Sequence, residues 1–305
     1  MAKNENFTVL RAARLIDGTG AQPVENNPVV VIKHTQKTER GLSNLTIPRE
    51  YGQIIDVGPE SAVDIPHGEI KEVSLPEMTL LPGLIDSHAH LGLPADGRPY
   101  LEMMEDSDGL LLISAIKNAE LALDAGITTV KDCGARNLIV FNLRDAAIRG
   151  LVQTPRLLIS GRPITITGGH FWFCNGAVDG INEVRKAIRQ LFWEGADFIK
   201  LMSSGAAAYT PNATHGISFS DEELAAAIEE THKHGRIISV HSEDVEAAEQ
   251  SARLGVDTIE HAIAMVRSDG TRAYDAEVAK LLFVNIVPAT YDAVEANELL
   301  TAFCT

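Results

Sequence analysis

The stretch Leu81-Pro82-Gly83-Leu84-Ile85-Asp86-Ser87-His88-Ala89-His90 decides how this chain is read. An apolar run ends in two histidines with one small residue between them. Side chains alternate faces along a strand, so His88 and His90 point the same way. Two imidazoles on one face at the end of a buried strand supply half of a metal site. The other half has to come from other strand ends.

Downstream of this stretch, apolar strand runs alternate with amphipathic helix patterns. Strands are expected at 81–85, 127–131, 156–160, 198–202, 236–240, 258–260 and 284–287. Helices are expected at 110–125, up to Gly150, at 181–193, 220–234, up to Leu254, at 274–282 and at 291–303. Ser220 followed by Glu223 is a capping box. Seven β/α units in series imply a parallel sheet with crossover helices. A doubly wound sheet and a (β/α)8 barrel both fit that count. Polar residues at the ends of several different strands favour the barrel, where those ends converge on one face.

Upstream, residues 1–80 read as short strands near 7–10, 29–32, 53–57 and 70–73, separated by Gly, Pro and Asn. Residues 33–52 are polar and read as a long loop. Asp17-Gly18-Thr19-Gly20 is a turn. The expected division is a small β-sandwich subdomain at 1–80 and a β/α barrel at 81–305.

The bulk numbers bound the function. The chain has 305 residues and a formal net charge of −16. An acidic protein of this size repels phosphate backbones, so nucleic acid is not an expected partner. No stretch reads as a membrane span, and the start at Met1–Thr8 is polar. Cys133, Cys174 and Cys304 are an odd number with wide spacing, which makes neither a disulfide framework nor a zinc knuckle. A reducing, cytoplasmic setting is expected.

Four strand ends carry unusual polar residues: His88 with His90, Lys200 inside the apolar run 198–202, His241 after 237–240, and His261 after 258–260. Lys200 is the informative one. A buried ammonium is costly without a partner and would be repelled by bound cations. Burial favours the neutral amine. Such an amine can react with carbon dioxide to give a carbamate, which is anionic and has two oxygens with which to bridge two metals.

At this point the chain resembles the amidohydrolase superfamily, in its binuclear-metal, carboxylated-lysine form. The matching segments are LPGLIDSHAHLG (81–92), AGITTVKDCG (125–134), GADFIKLMSSG (195–205) and ISVHSEDVEAAEQSARLGVDTIEHA (238–262). Gly168–His170 and the segment 204–212 resemble its prolidase-like branch, which includes Xaa-Pro dipeptidases. The resemblance implies that His88 and His90 bind the more buried of two divalent ions and that His241 and His261 bind the more exposed one. It implies a carbamate on Lys200, made with carbon dioxide, bridging both. Zinc is the first candidate, with manganese and cobalt also suited to these ligands. His170 and Tyr209 are implied substrate contacts, and Arg136, His170 and Tyr209 are the candidate clamps for a substrate carboxylate. The implied activity is hydrolysis of C–N bonds in dipeptides, N-acyl amino acids or other small molecules.

One family feature has no counterpart. The family carries an aspartate after the eighth strand as general base and acid, and these 305 residues hold no GTDAG-like segment. Neither Asp292 nor Asp86 takes its place. The expectation is a barrel lacking its eighth strand and an incomplete subdomain, from a truncated form of a longer parent. Its open edges would favour a homo-oligomer. Two other readings stay open: a hydrolase of cyclic amides or imidazolones on the same scaffold, and a metal-binding protein without turnover.

Overall fold

The computed structural model describes residues 6–40, 46–93, 104–205, 216–261, 271 and 276–285. They fall into two compact units, 1–84 and 85–305.

The first unit holds a four-stranded sheet: β1 (Asn6–Leu15), β2 (Pro28–Arg40), β3 (Thr46–Pro59) and β4 (Glu69–Leu80), in the order β3-β2-β1-β4. β1 runs parallel to β4, and β2 is antiparallel to both β1 and β3. Phe7 and Val9 alternate onto the same face as Val29 and Val31, and the four form its buried core. Full burial of such a side chain contributes roughly 1.5–3 kcal/mol. The second layer that a sandwich requires is not found among the described residues. The expected loop at 33–52 is corrected. Residues 33–40 pair with 46–53, from Lys33↔Gln53 to Arg40↔Thr46. This ribbon has no apolar alternation to announce it, because backbone pairing alone carries the ladder.

The second unit alternates strand and helix: β5 (Leu84–Ala89), α1 (Asp108–Asp124), β6 (Ile127–Asp132), α2 (Ile139–Ile148), β7 (Arg156–Ile159), α3 (Ile181–Trp193), β8 (Ile199–Met202), α4 (Asp221–Lys233), β9 (Ile238–His241), α5 (Val245–Leu254), β10 (Thr258–Glu260) and α6 (Ala276–Asn285). The strands form two sheets, β5-β6-β7 and β8-β9-β10. Ile164, just past β7, joins them through a parallel bridge to Leu201. Its N–H donates to the Lys200 carbonyl and its carbonyl accepts from Met202, both at 2.8 Å. Strand order therefore follows sequence order without the reversal of a doubly wound sheet.

Helices α1, α3 and α4 each lay an apolar stripe on the strands. Leu111, Ala115 and Ala119 of α1, Val184, Ile188 and Leu191 of α3, and Leu224, Ala227 and Ile228 of α4 share one cluster with Ile199, Leu201, Ile238 and Val240. Alternation then turns Lys200, Ser239 and His241 to the opposite, inner face of the strands. Ser107 caps α1, and the expected capping box at Ser220 and Glu223 closes the start of α4.

Two expectations about strands are corrected. The first strand begins and ends later than 81–85, so that His88 lies within β5. The expected seventh strand does not begin at Val284: Val284 and Asn285 end α6. An apolar run such as Leu281–Val284 reads equally well as buried helix or strand. Residues 286–287 and the expected helix 291–303 lie outside the described residues. No helix among those described is long and apolar enough to cross a membrane.

Candidate metal centre

His88 and His90 meet at their outer nitrogens, with Nε2 atoms 3.3 Å apart. Their inner nitrogens are both spoken for. His90 Nδ1 donates to the Gly134 carbonyl at 2.8 Å, and His88 Nδ1 donates to Glu260 Oε2 at 2.8 Å. A carbonyl and an ionised carboxylate can only accept, so each Nδ1 carries the proton. In a neutral ring that leaves a bare lone pair on each Nε2. Two lone pairs aimed at one point repel unless a cation lies between them.

Three further histidines close around this pair. The His261 ring lies tilted against His88 at 4.5 Å between ring centroids and edge-on to His241 at 4.9 Å. His170 lies against His241 at 4.3 Å. Glu260 and His261 would face opposite sides of a regular strand. His261 instead has φ +66°, in the left-handed region, and this reversal lets both side chains reach His88. Left-handed backbone is costly for residues other than glycine and is concentrated at functional sites.

Lys200 is fully buried, and its Nζ has no hydrogen-bond partner. The buried His241 Nε2 is likewise unpartnered; the nearest carboxylate oxygen, on Glu243, is 3.8 Å away. Burial holds the Lys200 ammonium below its ordinary range. Burial first, and the Lys200 charge second or third, push the imidazoles down: His90 far down, His88 down, His170 to about 3 and His261 to about 4. His241 is held well below its ordinary value by burial and by the neighbouring His170. Rings held neutral are the form that binds metal. The donor chemistry therefore fits divalent cations, and the lone buried amine fits a group that is modified or paired with one.

The backbone that aims these rings is itself held. Buried Asp132, at the end of β6, accepts from Leu91 N at 2.8 Å and from Gly134 N at 2.9 Å. Gly134 then receives His90. At Gly134 φ is +128°, and an added Cβ would lie 2.3 Å from Pro163 Cγ, so only glycine fits without displacement. Burial raises the Asp132 carboxyl to about 6, against the pull of those two N–H groups.

Not every expected site residue gathers here. His88, His90, Lys200, His241, His261 and His170 do. Arg136 does not. Its Nε donates to Asp108 at 2.7 Å and a second nitrogen to the Asp106 carbonyl. It lines a cavity of about 390 Å³ with Trp172 and Phe173, and none of the histidines lines that cavity. Tyr209 and Asp292 lie outside the described residues. Asp86 accepts from the His88 N–H at 3.0 Å, a local contact within β5.

Sequence reasoning missed Glu260, Lys131, Ser239 and Asp132. A signal was present, since Lys131 is a second lysine in an apolar strand and requires a buried carboxylate. Among the described residues, His88, Cys133 and Glu260 also bring ligand atoms within 4.8 Å of one another. Burial pushes the Cys133 thiol up to about 11, which keeps it protonated and a poor ligand.

The sequence profile of the amidohydrolase family matches residues 79–301. The chain belongs to the amidohydrolase family. Among curated proteins, this family member is 26% identical to the ochratoxinase of Aspergillus niger in an alignment of 287 positions that covers 83% of this chain and 54% of that protein. It is 25% identical to an uncharacterised protein of Mycobacterium bovis over 206 residues, covering 67% of this chain and 48% of the relative. The chain thus spans about half the length of the curated relatives it matches. Among solved structures, a Xaa-Pro dipeptidase with bound methionine matches with a TM-score of 0.69 at 26% identity, over 98% of this chain and 71% of that one. A prolidase complexed with N-methylphosphonate-L-proline matches at 0.72 and 26%, over 92% and 64%. The ochratoxinase structure matches at 0.72 and 23%, over 98% and 70%, and shares the fold.

Proposed function

We propose that this amidohydrolase family member hydrolyses a carbon–nitrogen bond in a small amide, a dipeptide or an N-acyl amino acid, with the help of two divalent cations. The observation that carries this reading is the fully buried, unpartnered Lys200 amine among the imidazoles of His88, His90, His241 and His261. The relatives named as a prolidase and a Xaa-Pro dipeptidase support a dipeptide-like substrate.

His88 and His90 would hold one ion and His241 and His261 the other, with Lys200 between them. When bound, such ions polarise a scissile carbonyl and make water nucleophilic at neutral pH. Lys200 contributes through its neutral amine: the nitrogen lone pair adds to carbon dioxide, an N–C bond forms, and one proton leaves to solvent. The product is a carboxylate where an ammonium would repel cations. His170, buried against His241, sits where it can hydrogen-bond a substrate at the more exposed end. Asp132 and Gly134 orient His90 and exclude water behind it.

The test is turnover of Xaa-Pro dipeptides and N-acyl amino acids with zinc and bicarbonate supplied, beside Lys200→Ala. Turnover by the wild type that vanishes in the variant is the expected result. Wild-type protein that binds zinc but turns over neither panel would overturn the hydrolase reading in favour of a metal-binding role.

A further inference from the structure

Behind His88 lies a network that joins four strands. Lys131 of β6 donates to Glu260 Oε1 at 2.7 Å and to Ser239 Oγ at 3.2 Å. Ser239 Oγ donates to the same Oε1 at 2.5 Å. Glu260 Oε2 faces the other way and accepts from His88 Nδ1 at 2.8 Å. The carboxylate divides its oxygens, one toward a cation and a hydroxyl and one toward an imidazole. Lys131 and Glu260 side chains are only 4% and 8% exposed, and Ser239 is fully buried. None of the three belongs to the proposed ligand set.

We propose that Glu260 is a positioning residue that fixes the tautomer of His88. It keeps the ring proton on Nδ1 and so turns the Nε2 lone pair toward the cation site, while Lys131 and Ser239 hold the carboxylate in register. The proposal rests on the reading of His88 as a ligand. Carboxylates in this position set ring orientation and ligand basicity, and their loss lowers metal affinity by about 10–100-fold. A purely structural Lys131–Glu260 pair would need only Oε1. Tautomer control needs an acceptor at Oε2.

Glu260→Gln separates the two roles. The amide oxygen can replace Oε1, since an NH2 there would face the Lys131 ammonium and the Ser239 hydroxyl donor to donor. The NH2 then faces His88 Nδ1 and donates to it, so the ring proton must move to Nε2. Ring-nitrogen correlation spectra of the metal-free, full-length protein read this directly. The wild type is expected to show His88 as Nδ1–H and Glu260→Gln as Nε2–H. Zinc affinity, measured by competition with a chelator, is expected to fall about 10–100-fold in Glu260→Gln. Ser239→Ala leaves Oε2 in place, and is expected to keep the Nδ1–H tautomer and hold zinc affinity within roughly threefold of wild type.

Nε2–H in the wild type would overturn the proposal whatever the variants do. So would an unchanged tautomer and zinc affinity in Glu260→Gln, or an equal loss of zinc in Ser239→Ala. If the wild type binds no zinc yet Glu260→Gln still moves the proton, tautomer control stands and the metal reading falls.

Discussion

The two histidine pairs of this site are held by different means. His88 and His90 are fixed through their inner nitrogens, by Glu260 and by the Gly134 carbonyl. His241 keeps an unpartnered Nε2, and His261 reaches the site through a left-handed backbone at an exposed position. The first pair is set by hydrogen bonds and the second by ring contacts and backbone conformation. On the proposed reading, the first pair is the rigid end, where an ion would be held, and the second the adaptable end, where a substrate would enter.

The largest effect should come from the rigid end. Gly134→Ala would force a Cβ against Pro163 and shift the carbonyl that orients His90. Overpacking of this kind costs roughly 1–3 kcal/mol, and loss of the orienting carbonyl should lower zinc affinity about 10–100-fold. Thermal melting and chelator competition check the two parts separately. If Gly134→Ala melted and bound zinc like wild type, the rigid end would not depend on this contact.

The adaptable end should respond with opposite signs. His261→Gly removes a side chain from a left-handed position, so the metal-free protein should gain stability by roughly 1 kcal/mol while the second metal equivalent is lost. His88→Ala should lose both stability and metal, because it leaves Glu260 Oε2 without its donor. Denaturant titration of metal-free protein, with metal counting on the same samples, tests the contrast. Equal destabilisation by both substitutions would erase the distinction between the ends.

The smallest effect tests the scaffold apart from either pair. Hydrogen bonds from Arg189, working against burial, and from Arg185 hold the Glu230 carboxyl down to about 2. A lowered carboxyl stabilises the fold above its ordinary value near 4.3. That contribution is lost as pH falls from there through 2. Glu230→Gln should therefore lower stability by roughly 0.5–1 kcal/mol at neutral pH, with the difference from wild type closing toward pH 2. Zinc affinity should not change. A change in affinity would mean that α4 is coupled to the site.

How much was legible in advance differed between these parts. Strict βα alternation with capping signals gave α3 its observed span and located most strands within a few residues, since apolar periodicity is a local property. The polar ribbon of β2 and β3 was not legible, because its ladder is made by backbone groups that every residue carries. The helix at 276–285 was misjudged at its end, because a continuous apolar run has no period with which to choose. His88, His90, Lys200, His241 and His261 stood out as polar residues ending apolar strands. Arg136 stood out as a candidate carboxylate clamp, and the structure places it against Asp108, away from the histidines.

The sequence by itself determined the family, the strand ends and the residue types that gather there, because a histidine or lysine closing a buried strand is anomalous wherever it is read. Only the tertiary structure decided which nitrogen of each ring is free, that Glu260 rather than a histidine stands behind His88, and that His261 turns inward against its strand. Those facts depend on partners 44 and 172 residues away in the chain and on a backbone angle, and neither leaves a mark in local residue order.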